Sequence, residues 1–376
     1  MAMQLEDLMR EAFDRKASDI HLVAGQSPVM RIHGEMIPVD GLPPLSSADT
    51  QTIGQELTDN ERWDQFVAER ELDFAVSRPG LGRFRANLYW QRDSVAIALR
   101  LIPDQIATFE ELGLPKQLEK FAMVEHGLFL VTGPTGSGKS TTLAAMVDFI
   151  NEHRACNVVT IEDPIEFLHR HKKALISQRE MNQDTRSFGQ ALRRVLRQDP
   201  DVILVGELRD LETIQIAMTL AETGHLVLST LHTTDAIQTA NRIVDAYPIE
   251  HQALARSQLS FILTGILAQN LMRRRDGPGR VMVMEFLVAT PAVRNLIRKN
   301  EIQQIYSAME SASGEGMTTL NASLLSHFRL GHISWQDALR KSPRPKELAN
   351  RLRPSDKGAA PNSSDARPAA SNIFAA

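Results

Sequence analysis

The sequence predicts an α/β protein in two parts: a small α+β domain, then a larger domain in which helices cover a mostly parallel sheet. Three observations carry this prediction. Gly133, Gly138, Lys139 and Ser140 fit the pattern G-x-x-x-x-G-K-[ST], with an apolar run (128–131) before it and a helical pattern after it. From 157 to 230, apolar strand-length runs alternate with helical segments, as parallel sheets require. Before 102 the pattern instead pairs short strands across turns.

In chain order, residues 5–16 read as an amphipathic helix. Segments 29–32 and 36–39 flank His33, Gly34 and Glu35 as a hairpin, and 83–90 and 95–102 flank Gln91, Arg92 and Asp93 in the same way. Between the hairpins the Ser/Asp-rich start at Ser47 opens a helix expected over 47–68. Domain one is thus 1–102. Two prolines and Gly113 in a stretch of little periodicity make 103–115 the expected linker. A helix over 116–123 leads into the strand before the phosphate loop. Strands are then expected at 157–161, 202–205 and 226–230, and helices at 188–198 and 211–222. From 237 to 353 the pattern is mainly helical, with a strand or hairpin at 280–288, so domain two is 116–353. The Ala/Pro/Ser/Asp-rich stretch 354–376 is expected to be disordered.

At 376 residues, 43% hydrophobic and 23% charged, the chain has the profile of a soluble globular protein of about two domains. A net charge of −4, with no aromatics interleaved in a basic stripe, gives no reason to expect a nucleic-acid partner. The N-terminal stretch carries Glu6, Asp7 and Glu11, unlike a signal peptide. The apolar stretch 261–272 is broken by Thr264, Gln269 and Asn270 and is too short to span a bilayer. A cytoplasmic protein is expected. One cysteine, Cys156, allows no internal disulfide and reads as a small residue beside a core strand.

The chemistry starts at Gly133, Pro134, Thr135, Gly136, Ser137, Gly138, Lys139, Ser140 and Thr141, expected to bind the nucleotide. The glycines let backbone N–H groups turn inward around the phosphates, and the helix start adds its positive dipole end. Lys139 reaches the β- and γ-phosphates of ATP, and Ser140 ligates Mg²⁺. In an open parallel sheet, ligands sit beyond the carboxyl ends of the strands. Glu162, Asp163 and Glu166 follow one strand, Glu207 follows another, and His225 and His232 flank a third. Glu207 ends an apolar strand where a Walker B acid belongs, so it holds Mg²⁺ through water or acts on the nucleophile; Glu162 is the other candidate base. Asp163 and Glu166 read equally as capping or loop charges. His232 either contacts the γ-phosphate or is a structural strand-end histidine. Arg83 and Arg85 share one side of a strand with Phe84 opposite, which suits either a polar strand face or charge offered to a neighbouring subunit's phosphate. Arg273 to Arg275 read as a charged turn or a basic patch.

With these residues in view, the chain closely resembles the PilT-type retraction ATPases of type IV pili, within the secretion ATPase superfamily. The likeness rests on ASDIHL at 17–22, GRFRAN at 82–87, GPTGSGKST at 133–141, TIEDPIEF at 160–167, DPDVILVGELRD at 199–210 and GHLVLSTLHTTDA at 224–236. The resemblance implies a PAS-like N-terminal domain, a RecA-like P-loop ATPase domain and a helical C-terminal region. It implies Glu162 as catalytic carboxylate, Glu207 as Walker B acid, His232 as part of a γ-phosphate sensing box, and ATP with Mg²⁺ as the ligands. It further implies a homohexamer in which Arg83 and Arg85 approach the neighbour's nucleotide, and an inner-membrane platform protein as partner, at the cytoplasmic face of that membrane.

Segment 292–299 resembles the family's AIRNLIRE retraction motif, with Val293 for Ile and Lys299 for Glu. Val293, Leu296 and Ile297 are expected on one helical face and the basic residues on another. The implied function is a motor for pilus retraction and twitching motility. Its alternatives are a PilU-type accessory that works beside a second retraction ATPase, and a nucleotide-gated interaction protein.

Overall fold

The computed structural model describes residues 5–32, 34–103 and 105–352. His33 and the tail 354–376, expected as a turn residue and a disordered segment, lie outside them. The chain divides into two units, the first reaching Gln105 and including Glu166–Leu168, the second beginning at Ile106 and holding the rest of the described residues.

In the first unit, α1 (Leu5–Asp14) buries Leu5, Leu8, Met9 and Ala12, the stripe that a 3.6-residue period puts on one face. Then come β1 (Asp19–Leu22), β2 (Val29–Ile32) and β3 (Glu35–Pro38). Where one helix was expected over 47–68 there are two, α2 (Ser47–Leu57) and α3 (Asn60–Glu69). Local side chains force the break. Thr58 is extended, and the Asp59 carboxylate accepts from the Arg62 N–H and caps a fresh start. Such a cap is worth about 1 kcal/mol. The unit ends with β4 (Glu71–Arg78), β5 (Gly82–Gln91) and β6 (Ser94–Ile102), in an antiparallel sheet of order β3-β2-β1-β6-β5-β4. Along β5, half-buried Arg83, Arg85 and Asn87 alternate with buried Phe84, Ala86 and Leu88, so both arginines share the polar face.

In the second unit, 106–114 departs from the expected linker: Ala107, Phe109, Leu112 and Leu114 are buried in its core. Five apolar side chains in nine residues give this aperiodic stretch its own reason to pack. The elements that follow are α4 (Leu118–Ala122), β7 (Gly127–Thr132), α5 (Lys139–His153), β8 (Asn157–Glu162), β9 (Leu175–Glu180), α6 (Phe188–Val195), β10 (Val202–Val205), α7 (Leu211–Glu222) and β11 (Leu226–Leu231). Next come α8 (Ala236–Asp245), α9 (Gln252–Ile262), β12 (Leu263–Arg273) and β13 (Arg280–Val288). The chain closes with α10 (Pro291–Arg298), α11 (Ile305–Ser311), α12 (Leu320–Arg329), α13 (Trp335–Lys341) and α14 (Pro345–Asn350).

The sheet runs β13-β12-β7-β11-β10-β8-β9, with only β13 antiparallel. Every residue of β7, β10 and β11 is buried, which is why these strands read as unbroken apolar runs. Four strands escaped the sequence reading, β1 and β4 in the first unit and two in this sheet. β9 alternates too weakly to signal itself, and β12 lies in a segment that reads as helix. A further correction concerns the 292–299 segment. Val293 and Ile297 are buried as expected, but Arg294 is not part of a solvated basic face. Its guanidinium is half-buried and donates to the carbonyls of Ala289, Ser260 and Phe261, the last two at the C-terminus of α9. Carbonyls at a helix end lack intrahelical donors, and Arg294 supplies them.

Candidate functional site

Strand register brings the expected site together. Thr132 of β7 sits opposite Leu231 of β11, and Val205 of β10 sits between Ile161 of β8 and Ser229 of β11. The residues just past those positions are Gly133, Glu162, Glu207 and His232, all at one edge of the parallel strands. His225, grouped with them in the sequence, is at the other end: it precedes β11, and its Nδ1 lies 3.0 Å from the Leu220 carbonyl.

The phosphate loop fits a nucleotide by its own geometry. Gly133 has φ 145°, and a Cβ there would lie 2.2 Å from the Gln269 carbonyl and 2.6 Å from Ser137 Oγ, so only glycine fits. Gly138, at φ 88°, is the N-cap of α5 and offers no side-chain cap, which leaves the first N–H groups of the helix for an anion. Ser137 Oγ is buried without a hydrogen-bond partner. Pro134, Thr135, Gly136 and Ser140 are exposed along the loop, with Gly138, Lys139 and Thr141 half-buried. The Lys139 ammonium spans the loop, donating to the Gly133 carbonyl at 3.0 Å and the Pro134 carbonyl at 3.2 Å. Burial lowers its pKa and the nearby Glu207 raises it, burial being the larger effect. These features suit a phosphate chain of a nucleotide.

A residue the sequence reading passed over holds the loop. Gln269, fully buried on β12, donates from Nε2 to the Ser137 carbonyl at 2.7 Å and accepts from Thr142 Oγ1 at 2.9 Å. Its signal in the sequence is a polar residue interrupting an apolar run.

Glu207 is positioned by β11. Ser229 Oγ donates to the Val205 carbonyl, Thr230 Oγ1 donates to the Gly206 carbonyl, and Leu208 N–H bonds the Thr230 carbonyl. The Glu207 carboxylate lies 3.2 Å from His232 Nε2 and accepts from Arg209 Nε at 3.0 Å. Arg209 also reaches Asp163 at 3.4 Å, so Asp163 joins the network while Glu166 lies exposed. Glu207, Arg209, His232, Thr233 and Arg242 line a cleft of about 240 Å³. Glu162, at the end of β8, accepts on Oε1 from Thr160 Oγ1 at 2.6 Å and from Gln178 Nε2 at 3.2 Å. Arg209, Gln178 and Thr160 are further residues the sequence reading missed; only their contacts single them out.

The His232 loop is anchored in turn. The Thr233 and Thr239 hydroxyls are 2.6 Å apart, Asp235 caps α8, and the Ala236 N–H donates to Glu285 at 2.9 Å. Burial, the leading cause, raises the pKa of Glu285. Among the described residues no cluster of three His, Cys, Asp or Glu side chains could hold a metal ion. Ser140 and Glu207, a hydroxyl and a carboxylate, are hard oxygen donors of the few-ligand kind that Mg²⁺ accepts while keeping its waters. Arg83 lies within hydrogen-bonding distance of Ser77, 3.5 Å away. No described helix is long and apolar enough to cross a membrane.

Comparison with known proteins adds to this geometry. Residues 48–340 match the family described as Type II/IV secretion system protein. The chain is 44% identical over 346 residues to the type IV pilus retraction ATPase PilT of Pseudomonas aeruginosa, covering 92% of this chain and 100% of the relative. It is 39% identical over 346 residues to the type IV pilus ATPase PilU of the same organism, covering 92% and 90%. A crystal structure of the pilus retraction motor PilT with bound ADP superposes with a TM-score of 0.87 at 46% identity, covering 93% of this chain and 99% of that one. A shared fold, a match along nearly the whole length and a phosphate loop fitted to a nucleotide converge on one assignment: the chain belongs to the Type II/IV secretion ATPase family, in its PilT-type branch.

Proposed function

We propose that this chain is an ATP-hydrolysing motor that powers type IV pilus retraction and twitching motility. It works as a homohexamer at the cytoplasmic face of the inner membrane, through a platform protein of that membrane. The observation that supports this reading is that the phosphate loop, Glu162, Glu207 and His232 follow strands that end at one edge of one sheet, where phosphate binding, two carboxylates and an imidazole would be on offer to a nucleotide.

In this reading the backbone from Gly133 to Thr141 and the Lys139 ammonium bind the phosphates, and Ser140 with Glu207 holds Mg²⁺. The ion, when bound, neutralises charge on the phosphate oxygens. Glu162 orients water and takes its proton. His232, 3.2 Å from Glu207, reads the γ-phosphate and links that reading to the Walker B acid. Arg83 and Arg85 act in trans on the neighbouring subunit's nucleotide.

Retained ATP without turnover in Glu207→Ala and Glu162→Ala, and loss of nucleotide binding or hydrolysis in Lys139→Ala, are the expected results of trapped-nucleotide assays. Mixing Arg85→Ala with Lys139→Ala subunits should partly restore activity; strict failure to complement counts against the action in trans. The likeness to PilU supports a second reading, an accessory ATPase that needs a second motor. Complementation of a retraction-deficient strain with this chain alone separates them. Restored twitching supports the stand-alone motor, and no twitching with the protein stably expressed sinks it.

A further inference from the structure

Gln178 is not part of any motif quoted above, yet it touches the candidate base and the loop that follows it. β8 and β9 pair in parallel with Thr160 opposite Gln178 and Glu162 opposite Glu180. Thr160 and Glu162, two apart, project to one face of β8, and Gln178 reaches the same carboxylate from β9. The amide orientation of Gln178 is dictated by its surroundings. Its Oε1 accepts from the His169 backbone N–H at 2.9 Å, which turns Nε2 to donate to Glu162 Oε1 at 3.2 Å. Thr160 Oγ1 donates to the same oxygen at 2.6 Å. Two donors from two strands therefore fix Oε1 and with it the direction of the carboxylate.

The same strand holds the loop after Glu162 at both ends. Glu180, 4% exposed, accepts from the Ile165 N–H at 3.3 Å, and Gln178 accepts from His169. β9 thus positions the carboxylate and clamps 165–169 with two neighbouring side chains of alternate position.

We propose that Gln178, assisted by Thr160, is a positioning residue for Glu162 in ATP hydrolysis; this rests on the reading of Glu162 as the catalytic carboxylate. A general base contributes about 10²–10⁴-fold, and it does so only when aimed at the proton it takes. Removing the donor that aims it slows turnover and leaves nucleotide binding, which belongs to the phosphate loop, intact.

The test uses Gln178→Glu in the full chain. This variant keeps an acceptor for the His169 N–H, removes the donor to Glu162 and sets a second carboxylate beside it. Thr160→Val, which removes the 2.6 Å donor to the same oxygen without adding charge, is measured beside it so that lost aim is told apart from charge repulsion. The expected result is a kcat lowered by about tenfold or more with nucleotide affinity unchanged, and no further loss when Gln178→Glu is added to Glu162→Gln. Normal kcat in Gln178→Glu, with Glu162→Gln inactive, overturns the positioning role and leaves Glu162 standing as base. An equal further loss in the Glu162→Gln background also overturns it, since Gln178 would then act by another route. Near-normal turnover in Glu162→Gln removes the base itself, and the inference with it. If Gln178→Glu fails to fold, Thr160→Val is read alone by the same criteria.

Discussion

Replacing Gln269 by Leu tests whether the phosphate loop is held by a strand that follows it by 130 residues of sequence or by its own local turn. Gln269 is 0% exposed, and its amide bonds Ser137, 2% exposed, and Thr142, 1% exposed. Stripping one partner from a buried polar group costs about 1–3 kcal/mol. Two groups give about 2–6 kcal/mol, and the Thr142 hydroxyl relieves part of this by turning onto its own helix, which leaves about 2–4 kcal/mol. In a unit of this size that lowers the melting temperature by roughly 5–15 °C. The loop also loses the bond that fixes Ser137, so its binding-competent form is less populated and nucleotide Kd rises by about tenfold. Thermal unfolding of the unliganded protein and titration with a fluorescent nucleotide read the two effects. Gln258→Leu, which removes an exposed bond to Glu222, is the control and should stay within about 0.5 kcal/mol of the parent. A Gln269→Leu protein with parental melting temperature and affinity would refute the reasoning.

Gly133→Ala should abolish nucleotide binding, because its Cβ would meet the Gln269 carbonyl at 2.2 Å at a φ of 145°; an unchanged Kd contradicts the geometry. His327, pushed by burial and by neighbouring His332 to a pKa of about 4, binds fewer protons folded than unfolded. Its share of stability is therefore present above the ordinary value of 6.5 and lost as pH falls towards 4, amounting to about 3 kcal/mol by linkage. Denaturant midpoints of the parent and His327→Gln should diverge over that window, and parallel curves would count against it. Arg294→Ala should destabilise by about 1–3 kcal/mol, since it strips the carbonyls of Ala289, Ser260 and Phe261 of a donor; a melting curve like the parent's would return Arg294 to the solvated face.

Much of the fold and of the candidate site was legible because it is local. The phosphate loop is a contiguous motif. The strands that carry Glu162, Glu207 and His232 are buried on both faces and so read as apolar runs whose ends are visible. Register and long-range contacts were not legible. Nothing in the neighbourhood of Gln178 or Gln269 marks either as a partner of Glu162 or Ser137, because pairing of β9 with β8 brings Gln178 to Glu162 and pairing of β12 with β7 brings Gln269 to the loop that follows β7. The 106–114 segment looked like a linker because turn residues outweighed period, although its apolar side chains find a core. Arg294 looked like a surface charge because helical periodicity fixes a face and leaves open which carbonyls that face meets.

The central claim is that ATP is turned over at the sheet edge carrying Gly133, Glu162, Glu207 and His232. Steady-state phosphate release by the assembled protein at saturating Mg-ATP, beside Lys139→Ala prepared identically, tests it most directly. The account predicts continuous release by the parent and none by Lys139→Ala. Release at the same rate from both, or from neither, would contradict it.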